Sequence, residues 1–89
     1  MHIVGTHHPY MSQVVIYTRR GCHLCEEAEA MLLRLGLRPR LVDIDADPSL
    51  RERYSDCVPV VEIDGRERFR GRVNEVLLRR IVAASRAKD

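Results

Sequence analysis

No stretch of the 89-residue sequence approaches the roughly 18 to 20 consecutive apolar residues that a membrane-crossing helix needs. The first residues also lack a basic segment followed by an apolar core, so no secretory leader is expected and the cytoplasm is the anticipated compartment. An excess of one charge is missing too. The 15 basic and 13 acidic residues are mostly interspersed and leave a formal net charge of +2, which builds in no field for nucleic acid or a membrane surface. Lysine is nearly absent, Lys88 being the only one, and this preference for arginine carries no functional weight. Internal repeats and low-complexity segments do not occur. The 3 cysteines are too few and too clustered for a disulfide-stapled secreted domain, which leaves redox or metal chemistry.

What remains is an ordinary globular composition, 45% hydrophobic and 31% charged, of a length that supports one domain with a modest core. Residues 1–12, with His2, His7 and His8, have no usable periodicity and read as a flexible N-terminal extension; residues 13–89 read as the domain. Gln13 to Tyr17 is β-branched and aromatic, as suits a strand covered on both faces. Leu24, Ala28, Met31, Leu32 and Leu35 then recur at helical spacing, with Gly36 as a C-terminal cap. Pro39 to Ile44 predicts a second strand. Asp47 followed by Pro48 predicts a capped short helix over about 48–54. Val58 to Ile63, the pair Asp64-Gly65, and Arg66 to Arg70 predict a β-hairpin, its charged second strand an edge on which Arg66, Arg68 and Arg70 alternate. After Gly71, the residues Val73, Val76, Leu77, Ile81, Val82 and Ala84 suggest the apolar stripe of a closing helix. The order is βαβαββα. A crossover helix favours a parallel first pair, and the hairpin adds an antiparallel one, giving an α/β fold on a four-stranded mixed sheet with helices on both faces.

Chemistry concentrates in Cys22-His23-Leu24-Cys25, at the junction of the first strand and first helix. A thiol attacks only as thiolate, and a helix N-terminus, with unpaired N–H groups and the positive end of the dipole, favours that anion. Cys22 is placed there as the attacking sulfur, and Cys25, three residues on, is within reach to close a disulfide as the resolving one. A protonated His23 would stabilise the Cys22 thiolate and make the pair somewhat oxidising; a plain solvent-facing histidine is the equal alternative. Arg19 and Arg20 add positive charge nearby, and Gly21 permits the sharp turn. The same cysteine spacing also makes half of a zinc site, so its context matters.

That context resembles the glutaredoxin and thioredoxin-like superfamily over residues 13 to about 84. The matching residues are Tyr17-Thr18-Arg19-Arg20-Gly21-Cys22-His23-Leu24-Cys25, then Val58-Pro59, then Gly71 before the last helix. The resemblance implies a thioredoxin-like fold in which Pro59 is cis and lies against the dithiol loop, leaving the Val58 backbone free to pair with a substrate chain. It also implies that Arg19 meets a glutathione carboxylate. Gly71 is followed by Arg72 rather than a second glycine, and Asn74 stands where an acidic residue is common in the family. The His-Leu between the cysteines places the chain nearest the small bacterial glutaredoxin-like proteins with a dithiol site. Cys57 is expected near the site rim as a small, buried, inert residue, with a redox thiol or a metal ligand as the other readings.

Candidate site residues are thus Cys22 and Cys25 for catalysis and Arg19, His23, Val58, Pro59 and Gly71 for substrate binding, with no metal ligand assigned. The expected activity is thiol–disulfide exchange on proteins or glutathione mixed disulfides by a monomer without a bound cofactor, recycled by glutathione or a reductase. Neither nucleic acid nor membrane is an expected partner. The competing reading is a metal-binding or iron–sulfur module using the same cysteines. A folded adaptor that only docks partners is a further one.

Overall fold

The computed structural model describes residues 13–87, so the expected extension over 1–12 lies outside the described residues. The elements run β1 (Val14–Thr18), α1 (His23–Arg34), β2 (Arg40–Asp43), a 3₁₀ turn (Ile44–Ala46), α2 (Pro48–Tyr54), β3 (Val60–Ile63), β4 (Arg66–Arg70) and α3 (Glu75–Ala87). The order matches expectation, with strands β2 and β3 trimmed at their ends and the 3₁₀ turn added. Asp43 accepts the Asp45 N–H at 2.9 Å, and this local side-chain bond bends the chain out of β2. Asp47 caps α2 through the Ser49 N–H at 2.8 Å with Pro48 in the first turn, as the sequence predicts.

The strands form one sheet in the order β2-β1-β3-β4. β1 runs parallel to β2 and antiparallel to β3, and β4 closes the hairpin at an edge. Asp64 and Gly65 both take positive φ, 53° and 83°, the requirement of a tight two-residue turn. Asp64 is anchored further, exchanging two hydrogen bonds with Gln13: the Gln13 N–H donates to Asp64 Oδ1 and the Asp64 N–H donates to the Gln13 carbonyl.

One face of the sheet carries the main core, in which Ile16, Val61, Ile63 and Phe69 meet Ala28 and Leu32 of α1 and Leu78 and Val82 of α3. The other face carries a smaller cluster of Ile44, Tyr54 and Val60 with Tyr17, Leu50 and Val58 packed on it. Helices therefore cover both faces, but unequally. The first strand is covered on both faces as expected, and because α2 and the 3₁₀ turn are short, Val15 and Tyr17 on the α2 side stay half-buried.

Two expectations are corrected. Val76 and Leu77 are 62% and 47% exposed, whereas Leu78 is fully buried. Asn74 accepts the Leu77 N–H at 3.0 Å and so marks where α3 begins; Leu78, Ile81 and Val82 share the face packed on the main core, and Val76 stands about 160° away from Leu78. On β4 the arginines do not alternate. A bulge places Glu67 opposite Glu62 and Phe69 opposite Val61, leaving Arg68 as an extra residue, so Arg66 falls on the α3 face and Arg70 on the α2 face.

Candidate functional site

The dithiol sits where β1 ends and α1 starts. Arg19 and Arg20 leave the strand, Gly21 turns the chain at a φ of 76°, and Cys22 becomes the N-cap of α1 in extended conformation. Its carbonyl accepts the Glu26 N–H at 3.1 Å, and its sulfur accepts the Cys25 N–H at 3.1 Å. The sulfur thus stands where a serine or aspartate oxygen would cap an ordinary helix, on the electropositive end of the dipole. Cys22 and Cys25 are joined as a disulfide, their Cα atoms 5.2 Å apart. They differ in access: Cys22 is half-buried, whereas Cys25 is only 3% exposed.

The Val58–Pro59 peptide bond is cis. Pro59 is buried and Val58 half-buried, and Gly71, at a φ of 85°, donates its N–H to the carbonyls of Pro59 at 2.8 Å and Cys57 at 2.9 Å. The sheet register brings these parts to one end. Tyr17 is paired with Val60 and Val60 with Arg70, so the strand leading into the dithiol turn, the strand that follows Pro59 and the strand that precedes Gly71 all meet at the same end of the sheet.

The model of the glutaredoxin-like domain (DUF836) matches residues 13–83, which include every one of these parts. The chain belongs to this glutaredoxin-like family. Among curated relatives, it is 35% identical over 82 residues to the uncharacterized protein Rv0508 of Mycobacterium tuberculosis, covering 82% of this chain and 84% of that one. It is also 35% identical over 72 residues to monothiol glutaredoxin-S11 of Arabidopsis thaliana, covering 72% and 71%. Among solved structures, a structural-genomics target, XcR50 of X. campestris, superposes with a TM-score of 0.69 at 32% identity, covering 80% of this chain and 96% of that one. The thioredoxin of Fasciola hepatica superposes with a TM-score of 0.51 at 25% identity over 84% of this chain and 81% of its own. The glutaredoxin-like chain therefore has the thioredoxin fold expected of it.

Within this glutaredoxin-like site the remaining candidate residues have distinct surroundings. The His23 side chain is 94% exposed, with Nδ1 3.8 Å from Glu26 Oε1. Arg19 is engaged inside the protein: Nε and one terminal nitrogen donate to the two oxygens of Asp45 at 3.0 and 2.8 Å, and the other terminal nitrogen donates to the Ser55 carbonyl at 3.4 Å. This fork ties the end of β1 to the 3₁₀ turn and the end of α2. The hydrogen bond from Arg19 holds the Asp45 carboxyl below the usual carboxylate range, and the same bond raises Arg19. Asp45 was not visible as a partner in the sequence, since only the 3₁₀ turn brings it back beside Arg19.

Cys57 departs from the expectation of a buried residue. It is only half-buried, packed at the margin of the smaller cluster, and its sulfur accepts from Arg70 at 3.1 Å and lies 3.5 Å from the Tyr54 carbonyl. Arg70 is itself gripped by both oxygens of Glu67 at 2.8 and 2.9 Å, and its guanidinium lies 5.9 Å from the centre of the Tyr54 ring. The bulge in β4 makes this contact, because it turns Arg70 and Glu67 onto the α2 face together. Among the described residues no cluster of three or more His, Cys, Asp or Glu side chains is arranged to hold a metal ion. No described helix is long and apolar enough to cross a membrane.

Proposed function

We propose that this glutaredoxin-like protein is a thiol–disulfide oxidoreductase that reduces or exchanges protein disulfides or glutathione mixed disulfides through Cys22 and Cys25. The observation that carries the reading is the asymmetry of the pair: Cys22 caps α1 and is only half-buried, while Cys25 is 3% exposed one turn further in. A nucleophile needs access and a stabilised anion, and the helix N-terminus supplies both to Cys22. The resolving sulfur needs only to reach its neighbour. The presence of both sulfurs supports a dithiol cycle here, although one curated relative carries the name of a monothiol glutaredoxin.

In the reducing direction the Cys22 thiolate attacks one sulfur of the substrate disulfide. A Cys22–substrate disulfide forms, the substrate S–S bond breaks, and the other half leaves as a thiolate that takes a proton from solvent. Cys25, losing its proton, then attacks the Cys22 sulfur. The Cys22–Cys25 disulfide forms and the second half leaves as thiolate. The substrate gains two electrons and the dithiol loses two; glutathione or a reductase returns them. The cis Val58–Pro59 bond has no N–H at the proline, and the Val58 backbone beside it is the proposed docking line for an extended substrate segment.

The test is turnover of a glutathione mixed disulfide by single-cysteine variants. Cys22→Ser is expected to lose turnover entirely, and Cys25→Ser to accumulate a covalent adduct on Cys22 that mass spectrometry detects. Turnover surviving in Cys22→Ser would contradict the reading.

A further inference from the structure

At the end of the sheet away from the dithiol, the β3–β4 hairpin and the C-terminal half of α3 enclose a cleft of about 500 Å³. Ile63 and Ile81 form part of an apolar floor, and Arg66, Arg68 and Arg80 stand around it. These arginines come from two elements. The bulge supplies Arg68 as an extra residue and puts Arg66 on the α3 side, and α3 contributes Arg80. Arg19, Arg34, Arg70 and Arg79 each pair with a carboxylate, whereas none of the three cleft arginines has such a partner among the described residues. Other arginines share that condition; what sets these three apart is a common concave site. Asp64 also lines it, but its carboxylate is turned to uncharged donors, the Gln13 N–H at 2.9 Å and the Ser85 hydroxyl at 3.5 Å. Three cations therefore share the cleft with one carboxylate that forms an ion pair with none of them.

We infer that this cleft binds a small organic phosphate. Guanidinium groups match phosphate oxygens in fork geometry, and three of them from two sides suit a group carrying more than one negative charge better than a single carboxylate. The volume falls within the range of small-molecule pockets, and the apolar floor favours a ligand with a carbon body over a bare inorganic ion. Access is open, since β4 is an edge strand. The site is separate from the dithiol: along β3 the residue beside Pro59 is Val60, three steps and about 10 Å from Ile63. It holds whether or not Cys22 and Cys25 exchange disulfides.

The experiment is a two-dimensional NMR titration of the full chain, in its disulfide form, with ADP and in parallel with inorganic pyrophosphate. Saturable shifts confined to residues 63–68 and 80–85 are expected, with ADP binding below about 1 mM at low salt, several-fold tighter than pyrophosphate, and weakening as salt rises. The triple variant R66Q/R68Q/R80Q, all at exposed or rim positions, is expected to keep its melting temperature and lose the shifts. Shifts that persist in that variant, pyrophosphate binding as tight as that of ADP, or no saturation by about 10 mM would overturn the inference. So would binding of a polyglutamate peptide at this cleft with none of ADP, which would make it a protein-docking surface instead.

Discussion

His23 follows Cys22, the sulfur proposed to attack, yet its ring is almost wholly in water and the described acid beside it, Glu26, lies 3.8 Å away. Charges in such a setting interact through a high dielectric, where a few ångströms are worth about 1 kcal/mol. His23 can therefore tune the dithiol only modestly. In His23→Ala the loss of a ring able to carry positive charge beside Cys22 would disfavour the thiolate, and with it the reduced form, so the potential should become more negative by no more than about 30 mV, a tenfold change in the equilibrium constant. Equilibration with glutathione measures this directly; an unchanged potential would leave His23 as a solvent-facing residue with no hold on the chemistry. Cys57 shows the opposite case. Its sequence position suggested an inert core atom, but its neighbour Arg70 is delivered by a β-bulge, which no spacing along the chain announces.

At the scale of elements, α3 separates what pattern alone can and cannot decide. Val76, Leu77 and Leu78 are consecutive and equally apolar, so periodicity permits more than one phase for the stripe. Packing on the sheet decides among them, since Leu78 and Val82 join the main core while Val76 and Leu77 stay exposed. Leu78→Ala should accordingly cost about 2–5 kcal/mol in denaturant unfolding, as a fully buried leucine leaving a cavity. Val76→Ser and Leu77→Ala, on the exposed side, should each stay within about 0.5 kcal/mol. Equal losses at 77 and 78 would restore the phase read from the sequence. By contrast α2 was legible throughout, because Asp47 and Pro48 mark its start by chemistry rather than by period. The hairpin was legible for the same reason, since Asp64-Gly65 can take the positive φ values that the turn demands.

For the molecule as a whole, the order of elements and the cysteine pair were readable because each rests on local signals, while the cis proline followed from the resemblance to the family. The Arg19–Asp45 and Arg34–Glu75 pairs were not readable, since they join residues far apart in the chain, and the Glu67–Arg70 pair depends on the β4 bulge. Asp45, Glu67 and Glu75 are all held below the usual carboxylate range, chiefly by hydrogen bonds from Arg19, Arg70 and Arg79. Acids with depressed folded values add stability that is fully present above the unfolded carboxylate range and is lost as pH falls through the folded values. The melting temperature should therefore be level between about pH 7 and 5 and decline below about pH 4, less steeply in Asp45→Asn and at high salt. A decline of equal steepness in Asp45→Asn would show that the Arg19 pair is not linked to it.

The grip of Asp45 on Arg19 bears on substrate choice as well. Three hydrogen bonds already engage the guanidinium, so under the proposed function a glutathione carboxylate arriving there would compete with the resident acid. Freeing that cation with Asp45→Asn should lower KM for a glutathione mixed disulfide while leaving kcat nearly unchanged. The wild-type chain would then be tuned toward clients that recognise its backbone rather than toward the tripeptide's charge.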